Sequence, residues 1–167
     1  MDEFVPLEVQ ALDVILNAVS GISLLEYGLE EPLNFLKRPI GASDPNLSVG
    51  IYLANWEPLV DPSIGMYEQD LCRYNYGVQT MCKVDNRESG LRISALLAKK
   101  LRRALVRNEE FRLQLGQLRE DEDGFAPYER VMRWKFERVT YDDMAMNGGG
   151  FLYITASVFS IETETVS

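Results

Sequence analysis

The sequence predicts an α+β domain, an antiparallel or mixed four-stranded sheet with helices packed on one face. Three observations predict it. Apolar residues recur at helical spacing in two segments, they alternate with polar residues in four others, and the segments run in the order α, β, β, α, β, β. A chain of 167 residues holds one sizeable core, and 46% apolar with 26% charged residues is the composition of a folded domain. The expected organisation is a single domain: 1–28 an N-terminal helix, 29–46 a Pro-rich loop, and 47–167 the α+β core.

In the first helix Pro6 stands where a first turn would begin, and Val9, Leu12, Ile15, Leu16, Val19 and Ile22 follow at helical spacing up to Gly28. With Glu8 and Asp13 as its few charges, this helix is either internal or covered by a neighbouring subunit. The segment "EEPLNFLKRPIGASDP" has three prolines and a glycine, the composition of an irregular connection used for docking. In "LSVGIYLAN" Leu47, Val49, Ile51 and Leu53 share one parity. In "LCRYNYGVQTMCKV" Cys72, Tyr74, Tyr76, Val78, Cys82 and Val84 do. "WEPLVDPSIG" between them holds two prolines and is too long for a tight hairpin.

"DNRE" from Asp85 to Glu88 resembles a capping box and opens an amphipathic helix with Ile93, Leu97, Leu101, Ala104 and Leu105 on its apolar stripe. Arg92, Lys99, Arg103 and Arg107 share the opposite face. A helical turn over 109–115 leads to the acidic loop "LREDEDGFAP". "YERVMRWKFERVTY" then alternates Met132, Trp134 and Phe136 against Arg133, Lys135 and Glu137, and "DDMAMNGGG" reads as a flexible hairpin connection. In the closing strand Leu152, Ile154, Ala156 and Val158 hold one parity, while Phe159 and Ile161 take the other. A bulge near Val158, or a second half facing a different partner, explains that switch.

Composition excludes much chemistry. The chain has no histidine, which removes the usual neutral-pH acid/base, the Ser-His and Cys-His nucleophile systems and most transition-metal sites. Asp121, Asp123 and Gly124 stand at calcium-loop offsets, but Arg119 and Arg130 fill the first and twelfth ligand positions, so a solvated acidic loop is the reading. Asp142 and Asp143 read as turn residues, and "NGGG" precedes a strand without the lysine or serine of a phosphate loop. Neither metal nor cofactor is expected, and an enzyme ranks third among the function classes. Cys72 and Cys82, ten residues apart on one predicted strand, read as reduced core thiols. The N-terminal stretch lacks the basic start of a signal peptide and an uncharged span, so a soluble cytoplasmic product is expected, with the sequon Asn46-Leu47-Ser48 unused.

A net charge of −9 argues against tight nucleic-acid binding, which depends on Lys and Arg neutralising phosphates. Residues 88–108 nevertheless carry +5. Their cations are either the solvated side of a helix or a surface that meets acidic loops of a neighbouring copy.

The succession of an apolar helix, a loop, "RYNYGVQTMCKVD", "SALLAKKLRRAL", "YERVMRWKFERVTY" and "FLYITASVFSIETE" resembles tail terminator proteins of long-tailed bacteriophages, from about Leu47 onward. The likeness lies in element order and texture, not in an invariant motif. It implies a non-enzymatic virion protein of the tail and neck, made in the host cytoplasm. Such a protein forms a ring, commonly hexameric, that caps the tail tube, ends its polymerisation and joins it to the head-neck connector. The implied partners are further copies of itself, the major tail tube protein, the connector and, in a contractile tail, the sheath protein. Genomic double-stranded DNA would pass through the lumen without sequence-specific contact. The alternatives are another neck or tail-completion protein, or a DNA-associated module using Arg92, Lys99, Arg103 and Arg107. The expected assembly interface comprises those four residues with Phe159 and Ile161 of an uncovered closing strand, so that Phe159→Asp and Ile161→Asp would impair assembly more than folding.

Overall fold

A computed structural model of the chain describes residues 5–59, 70–120 and 128–166. It holds three α-helices, α1 (Leu7–Val19), α2 (Arg87–Arg102) and α3 (Glu109–Gln117). Seven strands accompany them: β1 (Asn34–Leu36), β2 (Ser48–Leu59), β3 (Asp70–Val84), β4 (Arg119–Glu120), β5 (Tyr128–Phe136), β6 (Thr140–Ala145) and β7 (Phe151–Val166). The strands form one mixed sheet curled into a half-barrel, in the order β1-β2-β3-β7-β5-β4, with β6 also on β7. The predicted four-stranded sheet with helices on one face is therefore corrected to this curled seven-stranded sheet. Three strands were hidden for a physical reason. β1 is three residues long and pairs in parallel with β2, β4 has two residues, and all six residues of β6 are exposed, so none carries an apolar alternation.

The N-terminal helix stops well before Gly28. α1 ends at Val19, where Ser20 and Gly21 follow, and a 3₁₀ turn over Leu25–Tyr27 closes on Gly28 at φ 79°. Leu7, Ala11, Ile15, Leu16 and Val19 are buried on β2 and β3, and the Tyr76 hydroxyl donates to the Glu8 carbonyl at 2.7 Å. In the Pro-rich segment the Asp44 carboxylate accepts from the Arg38 guanidinium and from the Gly41 N–H. The Asn46 side-chain oxygen accepts from the Lys83 N–H, which ties the segment to β3.

α2 begins one residue later than the capping-box reading, with Asn86 accepting from the Ser89 N–H at 2.9 Å. The buried stripe of Ile93, Leu97, Leu101 and Leu105 steps by four residues, longer than the helical repeat of about 3.6. A π-turn over Arg103–Arg107 absorbs the excess and holds Leu105 in the core. Asn108 then caps α3 through the Phe111 N–H.

Val49, Ile51, Tyr74, Tyr76, Val78, Phe159 and Ile161 of the sheet meet α1, α3 and the end of α2 in the main core. Cys82 and Tyr153 pack with Ile93 and Leu97 in a second cluster. Burial pushes the Cys82 thiol up.

Candidate assembly surface

The closing strand is the centre of the sheet. β7 pairs with β3 in unbroken register, Asp70↔Thr165 through Val84↔Phe151. Its other edge is taken by β6 over residues 151–156 and by β5 over residues 159–166. The expectation of an uncovered terminal strand is thus overturned. The parity switch also has another origin, because the β3–β7 register contains no bulge. Tyr153, Thr155, Ser157, Phe159, Ile161 and Thr163 lie opposite Cys82, Thr80, Val78, Tyr76, Tyr74 and Cys72, all on the side that meets the helices. Small hydroxyl residues occupy the middle of that row. The Thr80 and Thr155 hydroxyls bond to each other, and the Ser157 hydroxyl donates to the Val78 carbonyl at 3.2 Å.

Phe159 and Ile161 are 0% exposed and offer no surface to a second subunit. The Phe159 ring lies 5.7 Å from that of Phe111 on α3. Nearby, burial and then the Glu129 carboxylate, which accepts from the Tyr74 hydroxyl at 2.8 Å, push the Tyr74 phenol up.

Arg92, Lys99, Arg103 and Arg107 are exposed, and none forms an ion pair among the described residues. Lys100 differs, since it pairs with Glu26 and lies over the Tyr27 ring. The acidic loop around Asp121 and Asp123 lies outside the described residues.

Two sheet edges stand open at the same level. Beyond Gly50, where β1 ends, β2 has no strand on its outer edge among the described residues, and Trp56 there is 61% exposed. On the other side β4 pairs only with Glu129 and Arg130, leaving the outer edge of β5 from Val131 to Phe136 without a strand among the described residues. β6 adds a third, fully exposed edge carrying Tyr141 and Met144. Unprotected edges of this kind are templates for pairing with another chain.

Along the β5 edge runs a groove of about 600 Å³, lined by Arg102, Val106, Arg112, Met132, Trp134 and Phe136 with Arg133 and Lys135. No carboxylate among the described residues lines it. Arg102 and Arg112 have no ion pair among the described residues. Met132 is the extra residue of a bulge between Val131 and Arg133, which explains why it is exposed although the sequence pattern aligns it with Trp134 and Phe136.

Sequence reasoning missed Trp56, Glu57 and this groove. The pattern R-W-K-F was visible, but alternation alone reads as a half-buried strand and does not say which of its backbone edges is open.

Among the described residues no three acids and cysteines stand close enough to hold a metal ion, and no helix is long and apolar enough to cross a membrane. Compared with known proteins, the chain matches no protein-family model, and no curated protein matches it.

Proposed function

We propose that the protein is a structural subunit of a long-tailed bacteriophage, a tail terminator that closes into a ring, ends tube polymerisation and joins the tail to the head-neck connector. The observation that carries the reading is the pair of open edges, β2 beyond Gly50 and β5 from Val131 to Phe136, on opposite sides of one sheet. Two different surfaces that meet head to tail generate a closed ring when the rotation fits, and a filament when it does not. The succession of elements that resembles tail terminators supplies the context, with the tube protein and connector as partners and DNA passing through the lumen.

Electron microscopy of the purified protein mixed with tail tubes tests this. Rings seated on tube ends are expected; tubes whose ends stay bare and keep elongating in its presence would refute it.

A DNA-associated module is the second reading, favoured by the unpaired Arg92, Lys99, Arg103 and Arg107. It requires an affinity for DNA that falls steeply with salt and is lost on charge reversal at those positions.

A further inference from the structure

The two open edges match each other residue by residue. Reading across the sheet, Trp56 lies opposite Tyr74, Tyr74 opposite Ile161, and Ile161 opposite Trp134. The next row runs Glu57, Arg73, Glu162, Arg133. Its charges alternate in sign from one edge to the other and are joined in sequence. Arg73 pairs with Glu57 at 3.2 Å and with Glu162 at 2.8 Å, and Glu162 pairs again with Arg133. The ladder therefore begins on a carboxylate and ends on a guanidinium, each at an edge that has no further strand among the described residues.

We infer that β2 of a second copy adds antiparallel to β5, with its Glu57 beside Arg133 and its Trp56 in the groove beside Trp134. This deepens the ring reading and rests on it. Strand direction alternates from β2 through β3 and β7 to β5, so a further β2 continues the antiparallel order. The register follows from the charges: with Glu57 opposite Arg133, Trp56 falls opposite Trp134 and Asn55 opposite Lys135.

The side of the strand also fits. Trp56 shares its row with Tyr74 and Ile161, on the side that meets the helices, which is where the groove under Val106 lies. The incoming indole then meets Val106, Trp134 and the unpaired Arg102 and Arg112, an arrangement that suits an aromatic ring between cations. Charge favours this occupant too, because β2 carries Glu57 and no cation, whereas the groove has cations and, among the described residues, no carboxylate.

The test is disulfide trapping in the full chain with Cys72→Ser as background. The pair Glu57→Cys with Arg133→Cys should give a ladder of covalent multimers on mild oxidation, since directly opposed residues bring their Cβ atoms within about 5 Å. The out-of-register pair Glu57→Cys with Lys135→Cys should not. In parallel, Trp56→Ala, at an exposed position that leaves the fold intact by circular dichroism, should raise the concentration needed for assembly about thirtyfold, as for a central aromatic anchor.

Rings that form normally in Trp56→Ala, with no ladder from the 57/133 pair, would overturn the inference and leave the ring reading standing. A wild-type chain that stays monomeric would overturn both. If Arg102→Glu with Arg112→Glu still formed rings but lost tube or DNA attachment, the groove would belong to another partner and the inference would fail.

Discussion

Phe159→Ala separates the two accounts of the closing strand. Phe159 is fully buried on the central strand, between Tyr76 on β3 and Phe136 on β5, with its ring 5.7 Å from Phe111. Truncating such a side chain costs about 3–5 kcal/mol in lost transfer energy and cavity formation. The tilted contact with Phe111 contributes about 0.5–1.5 kcal/mol of coupling beyond area. Against a typical domain stability of about 5–15 kcal/mol, this is a large fraction of the whole. With a urea slope of about 1–3 kcal/mol/M, the unfolding midpoint should fall by roughly 2 M. A double-mutant cycle with Phe111→Ala should recover the coupling of about 1 kcal/mol. A variant whose urea midpoint is unchanged but whose assembly is weakened would refute the burial argument and return Phe159 to an interface.

Three further outcomes follow from the packing. The Arg38 guanidinium, and then the Gly41 N–H, hold the Asp44 carboxyl down to about 2, so this contribution is complete above the ordinary carboxylate range and is lost as the pH falls from about 4 through about 2; Asp44→Asn should flatten the acid limb of a pH–stability profile. A Cβ on Gly90 would collide with the Tyr153 ring, so Gly90→Ala should lower the thermal midpoint by overpacking worth about 1–3 kcal/mol, which outweighs a helix-propensity gain of about 1 kcal/mol. Thr155→Val strands the buried Thr80 hydroxyl and should cost about 1–3 kcal/mol by chemical denaturation, whereas Thr80→Val with Thr155→Val together should recover most of that loss.

The sequence revealed most where periodicity and burial coincide. α2 was legible because Ile93, Leu97, Leu101 and Leu105 are all core residues, and β3 because its even positions from Cys72 to Cys82 all meet the helical side. β6 was not legible, because an all-exposed edge strand has no reason to alternate. The position of β7 was misread for a related reason. Thr155 and Ser157 form hydroxyl contacts inside the core, so its buried row loses its apolar signature halfway, while Leu152 and Ile154 lend apolar character to the other side. The basic residues of α2 were found as exposed cations. The groove is lined instead by Arg102 and Arg112, and it depends on the approach of β5 to the π-turn, which no local pattern encodes.

Sedimentation velocity across a concentration series tests the central claim of edge-to-edge assembly most directly. A single closed species of fixed subunit number, present in the wild-type chain and dissociated by Trp56→Ala, is the expected result. A 19.0 kDa monomer that persists at every concentration would contradict it.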